Sequence, residues 1–412
     1  MEPMQLTEMM YALRNPAGVP FYPIVFVGLG VLTFALHIFF VQLMLGTAAL
    51  TLYGAYKQEN HWRRLASAML EIAKVSVSVA IVIGVAPLLF VQVVYDPQWY
   101  TSNVLSADWV IGFIVIMIFG YWGMYYYYFK NGKYGEHSGQ PKARWALIFG
   151  LALLLLAGWI MHSLTSQMLH PELWASWYNP NGTMDYSGSK LHANNPWRFA
   201  FFILLGIPVA GAMLIAYRRF KSVRADADMA YLNWAGELGK KWLKIGALVV
   251  IVPYIGWMMT LPESAGNFAM SLWGVLPVAA LILVAIWAQL RLNDPQSLCN
   301  YMALPMAFVA VLVVSITREV LRYAVLNDTF GYDFFDYKVT MDWYSTAMFF
   351  GTFAIVGGAV LAYFLTVAWK VGQSTGVYTP SAAVDRMGTI AIWITLLWLV
   401  HFFVLGFVIW AQ

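Results

Sequence analysis

Residues 22–54 read YPIVFVGLGVLTFALHIFFVQLMLGTAALTLYG and contain no charged side chain. A helix needs about 20 mostly apolar residues to cross the hydrocarbon core of a bilayer, so this stretch can span one at a tilt. The rest of the chain has the same character, because 61% of all residues are hydrophobic and only 11% are charged. Soluble domains carry about 25% charged residues. We therefore expect an integral membrane protein embedded in a lipid bilayer.

Nine further apolar stretches follow the first, and each is long enough to span a membrane. The ten stretches lie at about 22–54, 67–95, 105–129, 145–169, 197–217, 243–262, 268–290, 301–327, 343–369 and 387–410. No internal repeat or low-complexity tract divides them. The sequence predicts an all-α fold, a polytopic transmembrane helix bundle of about ten spans that forms a single transmembrane domain over residues 1–412.

Charge alternates between the loops that join these stretches. Of the 24 Lys and Arg residues, 17 fall in the odd-numbered loops: Lys57, Arg63, Arg64, Lys130, Lys133, Lys142, Arg144, Arg218, Arg219, Lys221, Arg224, Lys240, Lys241, Lys244, Arg291, Lys370 and Arg386. The even-numbered loops are acidic instead. Because cytoplasmic loops carry the excess of Lys and Arg, we expect both termini on the outer, periplasmic side of a bacterial inner (cytoplasmic) membrane.

Three histidines interrupt the apolar stretches at similar depth. At 1.5 Å per residue, His37 lies roughly 22 Å into the first stretch, and His401 and His162 lie roughly 14 and 12 Å from the outer ends of the tenth and fourth. Ionisable residues inside a membrane are costly and mark functional sites, and imidazole is a common axial ligand of heme iron. The alternative is that each ring forms an interhelical hydrogen bond that stabilises packing.

An arginine pair lies in the eighth stretch, within SITREVLRY. Arg318 and Arg322 are four residues apart and therefore share one face of a helix. Two guanidinium groups on one face attract an anion, such as a heme propionate, or line the site of a quinone headgroup. The alternative is a helix end that emerges among acidic loops, since Asp328, Asp333 and Asp336 follow closely.

Several classes of site are excluded by motifs that the sequence lacks. The single cysteine, Cys299, rules out a disulfide framework and a multi-cysteine metal cluster within this chain. No Cys-x-x-Cys-His sequence occurs, so covalent attachment of a c-type heme is excluded. No Gly-rich phosphate loop follows a strand. We expect no nucleic-acid partner.

Two loops on the predicted outer side are rich in aromatic residues. Residues 170–197 read HPELWASWYNPNGTMDYSGSKLHANNPW, and residues 328–342 read DTFGYDFFDYKVTMD. An acidic, aromatic surface can dock a basic soluble partner. The alternative is a Trp/Tyr belt at the membrane interface with solvated carboxylates.

The stretch LHIFFVQLMLG, residues 36–46, resembles the first helix of subunit I of cytochrome bd quinol oxidases. Looser likeness extends over about the first 265 residues and is closest to a divergent, bd-like branch that occurs beside multiheme c-type cytochromes. It rests on WRRLASAMLEIAKVSVSVAIVIGVAPLLFVQVVYDPQWY, SADWVIGF, NNPWRFAFFILLGIPVAGAMLIAYRRF and NWAGELGKKWLKIGALVVIVPYIGWMMTLPES. The resemblance divides the chain into bd-like helices at about 22–265 and additional helices at about 268–410. It implies that His37 is a heme ligand.

Several features of that family are missing from the chain. The run RFAFFILLG has no histidine where the family has its low-spin heme ligand, and Asp108 stands where the family has a glutamate. The long quinol-binding loop is reduced to PESAGN, and the Gly-Arg-Gln-Pro-Trp signature is absent. A complete three-heme oxidase is therefore not expected. His162 and His401 match no ligand of the family.

The sequence thus predicts a membrane subunit of a respiratory electron-transfer complex. It is expected to hold one or two b-type hemes, or none, and to exchange electrons with the quinone pool and an outward-facing partner such as a periplasmic c-type cytochrome. We expect His37 as an axial ligand with His401 or His162 as its partner, and Arg318 and Arg322 against propionates or a quinone. The alternatives are a heme-free structural anchor of such a complex and a membrane transporter.

Overall fold

The computed structural model describes residues 3–131 and 141–411. It is 81% helical, and the described residues contain no β-strand. Ten of its helices are long and apolar enough to cross a membrane, which confirms the predicted spans. In order, α1 to α10 are Pro23–Ala55, Asn60–Val94, Ala107–Asn131, Arg144–Gln167, Pro196–Lys221, Met229–Met259, Leu272–Arg291, Cys299–Thr329, Trp343–Gln373 and Ala382–Trp410.

The start of α6 differs most from the sequence prediction. The helix begins at Met229, whereas we placed the start of the sixth span at residue 243. The carboxylate of Asp228 caps it by accepting hydrogen bonds from the backbone N–H groups of Ala230 and Tyr231. Hydropathy alone missed this segment because its charged residues face away from a buried, largely apolar side. Several lysines assigned to a loop therefore lie on the helix.

Four of the spans are not continuous α-helices. α5 is interrupted at Leu205 and α6 at Val250, so each consists of two helical segments. α8 ends in a π-helical turn, Ala324–Thr329, and α9 contains another, Thr352–Gly357. Such turns are rare and frequently occur at functional sites. The turn in α8 begins at Ala324, two residues after Arg322.

Shorter helices lie outside the spans. An N-terminal helix covers Pro3–Ala12, and a second helix, Asp96–Leu105, follows α2. The connection after α4, which is the first of the two aromatic-rich loops, contains Pro171–Leu173, Trp174–Tyr178 and Pro180–Gly182. Single helical turns at Glu263–Ala265, Phe268–Met270 and Phe334–Asp336 complete the connections after α6 and α8.

Hydrogen bonds sort the connections into two faces, which we call the acidic face and the basic face. The acidic face joins the N-terminal segment to the connections after α2, α4, α6 and α8, for example through Asn15 to Asp96 and Thr329 to Ser264. The basic face joins the odd-numbered connections, for example through Arg64 to Asp228. Lys133, predicted for this face, lies outside the described residues. The alternation is as expected, and which face is periplasmic stays a prediction.

The helices pack as sequential antiparallel pairs around a shared core. α1 lies along α2, α3 along α4 and α5 along α6, and α8 closes the bundle against α1 and α5. Glycines allow close approach, because a Cβ atom at Gly123 would lie 2.9 Å from the Cα atom of Gly150 across the α3–α4 contact. The pair α9 and α10 stands apart: no residue in the most apolar window of either helix is buried.

Candidate functional site

A cavity of about 330 Å³ lies inside the bundle and is lined by side chains from α1 to α5, α8 and the connection after α2. This volume is within the range of roughly 300–1,000 Å³ that small-molecule and cofactor sites occupy. Aliphatic and aromatic residues form most of its wall. The polar exceptions are His37, Tyr95, His162, Thr165, Arg198, Arg318, Glu319 and Arg322. The charged residues come from the ends of α5 and α8 that lead to the acidic face.

His37 projects from α1 into this cavity and packs against α2. Its Nδ1 atom lies 2.8 Å from the carbonyl oxygen of Ala80. A carbonyl can only accept a hydrogen bond, so Nδ1 carries the proton and Nε2 keeps its lone pair. No described residue forms a hydrogen bond with Nε2. The ring is thus held through one nitrogen while the other is available to a ligand.

Gly84 makes this position of the imidazole possible. It lies one helical turn after Ala80, and a Cβ atom there would lie 2.8 Å from both Cε1 and Nδ1 of His37. Atoms do not approach that closely, so a side chain at residue 84 would displace the ring. The sequence prediction identified the histidine but missed the glycine that accommodates it.

His162 lines the same cavity, but both of its ring nitrogens have neighbours. The backbone N–H of Asn195 donates to Nε2 at 2.9 Å, and Nη1 of Arg198 lies 3.3 Å from Nδ1. The indole of Trp159 stacks on the ring with centroids 5.5 Å apart. His162 therefore links α4 to the start of α5, and neither nitrogen is free to coordinate iron in this arrangement.

His401 is not part of the cavity. It lies on α10, where its side chain is exposed and its Nε2 atom is 2.8 Å from the hydroxyl of Tyr344 on α9. The structure therefore brings His37 and His162 to one site and leaves His401 on the outside of the bundle. Helical depth, which suggested all three, does not specify the direction in which a side chain points.

Arg318 and Arg322 both reach the cavity, together with Arg198 and Glu319. Nη1 of Arg322 lies 3.1 Å from Oε2 of Glu319. Arg198 donates from Nη1 to the hydroxyl of Ser166 at 3.1 Å. The arginine pair thus faces the inside of the bundle, and neither arginine forms an ion pair with the acidic loop that follows α8.

Arg318 is the least compensated of these charges. Its guanidinium carbon lies 3.9 Å from the ring centroid of Phe34, and among the described residues it has no hydrogen bond or ion pair. Glu319 is the sole carboxylate among the residues that line the cavity, against three guanidinium groups. Arg318 is partly buried, and a charge taken out of water without a partner is costly, so an anionic or strongly hydrogen-bond-accepting group would be stabilised beside it.

Arg198 and Glu319 were missed as site residues, although the sequence held a signal for Arg198. It is the only charged residue between positions 196 and 217, and it lies in the first turn of a helix, where the dipole disfavours a cation. Such a placement indicates a specific role. The cavity also contains Met44, Met117 and Met161, and a methionine thioether is an established axial ligand of heme iron.

A site for a bare metal ion is not formed, since the described part of the chain has no group of three His, Cys, Asp or Glu side chains suited to one. No protein-family model matches the chain, and no curated protein matches it.

Proposed function

We propose that this chain is a membrane subunit of a respiratory electron-transfer complex and holds one b-type heme in the cavity, with His37 as axial ligand. Bound heme would supply one-electron transfer. Electrons would pass between quinone in the bilayer and an outward-facing redox partner, such as a c-type cytochrome, at the acidic face.

The arrangement of His37 is the observation that carries this proposal. A ligating histidine usually donates its other ring N–H to a carbonyl or carboxylate, which fixes the tautomer and the orientation of the ring. The bond from Nδ1 to the Ala80 carbonyl does this and leaves Nε2 without a hydrogen-bond partner in the described chain, on a residue that lines the cavity. A histidine that only packs between helices needs neither a glycine that leaves room for its ring nor a cavity next to it.

The rest of the cavity wall matches both the apolar macrocycle and the anionic propionates of a heme. The macrocycle is flat and apolar, and the aliphatic and aromatic side chains around the cavity match it. The propionates are anionic, and Arg318 lacks an acceptor while Arg198 and Arg322 lie on the same cavity. Charge-assisted hydrogen bonds from arginine to a carboxylate are among the stronger ones in proteins.

The same cavity also fits a heme-free anchor subunit that binds quinone. Two observations favour this second candidate: His162 is engaged through both nitrogens, and His401 is remote from the cavity, so neither of these two predicted partners is presented to iron. A quinone carbonyl could accept from Arg318 in the place of a propionate.

Heme content separates the two candidates. The chain and its variants would be purified from cells grown with a heme precursor, and heme would be measured per chain by the pyridine hemochrome assay. We expect His37→Ala to lose the heme and added imidazole to restore it, whereas His401→Ala keeps it. Full occupancy in His37→Ala would contradict the ligand assignment. A heme-free but folded wild-type chain that binds quinone would support the anchor.

A further inference from the structure

Two buried carboxylates lie on opposite sides of a layer of tyrosines between the cavity and the acidic face. Glu319 belongs to the cavity wall and is 8% exposed. Asp96 begins the helix that follows α2 and is 6% exposed. Buried carboxylates are uncommon unless they are paired. Glu319 pairs with Arg322, and Asp96 accepts a hydrogen bond from the hydroxyl of Tyr337.

The cavity side of this layer is formed by Tyr95. Its ring lies 5.0 Å from the guanidinium carbon of Arg322, and its buried hydroxyl lies near Glu319 without a hydrogen-bond partner among the described residues. The ring of Tyr332 packs on that of Tyr95 with centroids 6.4 Å apart. The two rings thus lie next to each other, one facing the cavity and the other facing away from it.

A chain of hydrogen bonds continues from Tyr332 towards the acidic face. Its hydroxyl lies 3.0 Å from that of Tyr337 and 3.0 Å from the carbonyl oxygen of Val94. The hydroxyl of Tyr337 in turn donates to Asp96. Because Tyr332 and Tyr337 are both buried, these hydroxyls have one another and Asp96 as partners in place of bulk water.

Asp96 lies next to a solvent-exposed part of the N-terminal segment. Its Oδ2 atom accepts a hydrogen bond of 2.8 Å from the backbone N–H of Asn15, and Asn15 is solvent-exposed together with Pro16 and Ala17. The charged group that faces Asp96 from the N-terminal segment is Arg14. Burial raises the pKa of the Asp96 carboxyl, so it holds a proton more readily than an ordinary aspartate does.

We propose that Asp96, Tyr337 and Tyr332 form a proton path between water at the acidic face and Glu319 in the cavity. The transfer is an acid–base exchange in which only O–H bonds break and form. Asp96 takes a proton from water and gives it to Tyr337, which passes its own proton to Tyr332. Tyr332 releases its own proton to a water molecule, which can link polar groups that are too far apart for direct contact and would pass a proton past Tyr95 to the carboxylate of Glu319.

The path rests on the proposed function for its purpose, because an electron that enters a buried site favours uptake of a proton nearby. Its geometry and its test do not depend on heme. The alternative is that the tyrosines only pack the loop 330–337 onto the bundle. Packing and proton transfer differ in the quantity they affect, since packing changes stability whereas transfer changes a rate.

The test is a proton-jump experiment on the full chain in nanodiscs, with or without heme. Protons are released by light, and the carboxyl C=O band of Glu319, assigned by its loss in Glu319→Gln, is followed by infrared spectroscopy. Asp96→Asn and Tyr337→Phe should slow its rise by about a hundredfold, the lower end of the contribution of a positioned acid–base group, with an unchanged final amplitude. Asp185→Asn and Tyr186→Phe, on the same face, serve as matched controls and should keep the wild-type rate.

Two results would overturn the path: a wild-type rate in Asp96→Asn and Tyr337→Phe, or a wild-type chain in which Glu319 takes up no proton. Tyr332→Phe supplies a further variant if Asp96→Asn fails to fold. If the wild-type chain binds no heme and its Asp96→Asn and Tyr337→Phe variants show the slowed rates, the heme proposal is contradicted and the path stands. If the wild-type chain binds heme and the two variants keep the wild-type rate, the heme proposal stands and the path is contradicted.

Discussion

The imidazole of His37 rests on the backbone of Gly84, so closely that a single methyl group at residue 84 would overlap it. This contact joins α1 to α2 at the wall of the cavity. It also determines where Nε2 points, because the ring cannot move towards α2 and its Nδ1 is tied to Ala80.

Substitution of Gly84 tests this relationship. Gly84→Ala should displace the ring, break the bond to Ala80 and lower heme content strongly, while overpacking costs about 1–3 kcal/mol of stability. Gly112→Ala is the matched control, since a Cβ atom there has nothing within 4 Å. Heme content per folded chain is the measurement. Unchanged heme in Gly84→Ala would show that the position of the ring is irrelevant to binding.

Replacement of Arg318 should affect the stability of the chain and its affinity for an anionic occupant of the cavity in different ways. Arg318→Met removes a partly buried charge that has no hydrogen bond or ion pair in the described chain, so the cost of keeping that charge out of water is removed with it. We expect the heme-free chain to unfold at an equal or higher temperature, and its affinity for an anionic occupant to fall.

Arg322→Met provides the contrast to Arg318→Met. It leaves Glu319 buried without its ion-pair partner and should destabilise the chain by about 3–5 kcal/mol. Thermal unfolding of both variants in one detergent makes the comparison. If Arg318→Met and Arg322→Met changed the unfolding temperature equally, the ion pair between Arg322 and Glu319 would make no difference to stability.

The stability of the acidic face should depend on pH through Asp96. Burial raises the pKa of this carboxyl above its ordinary value of 3.8, so the folded chain binds the proton more tightly than the unfolded chain does. Stability is therefore highest when Asp96 is protonated, and it falls as the pH rises through the folded pKa. Asp96→Asn should remove that part of the pH dependence. An Asp96 carboxyl band that titrates at or below 3.8 would contradict this account.

Arg14 should hold the N-terminal segment to the connection after α8. Its guanidinium carbon lies 3.9, 4.3 and 4.4 Å from the ring centroids of Tyr11, Tyr332 and Tyr337. Cation–π contacts are worth about 0.5–2 kcal/mol each, so Arg14→Ala should raise hydrogen exchange throughout the N-terminal helix. Arg386→Ala, on an exposed position of α10, is the control. Equal protection of the N-terminal helix from hydrogen exchange in Arg14→Ala and Arg386→Ala would show that the contacts of Arg14 with the three tyrosines do not hold this segment.

Much of the fold followed from the sequence because spans in a membrane need long apolar helices and leave their charges in the loops. Hydropathy located all ten, and the alternating charges predicted which connections share a face. It misplaced the start of α6, where amphipathic residues extend the helix into the polar region. It could not reveal the interruptions at Leu205 and Val250, since these depend on packing between helices.

The site was only partly predictable, for a related reason. Position in a helix gives the depth of a side chain but not its neighbours. Depth selected His37 and His162, which share the cavity, and equally His401, which does not. Arg198, Glu319 and the tyrosines around Asp96 come together from parts of the chain far apart in sequence, so only the packed structure shows that they share one end of the bundle.

The most direct test of the central claim is the reduced-minus-oxidised visible spectrum of the purified wild-type chain, combined with its pyridine hemochrome. The account predicts a b-type signal that corresponds to about one heme per chain, as a single available His37 ligand implies. A folded chain that has been offered heme and shows no such signal would contradict it. His37 would then be a packing residue, and the cavity would belong to a quinone or lipid.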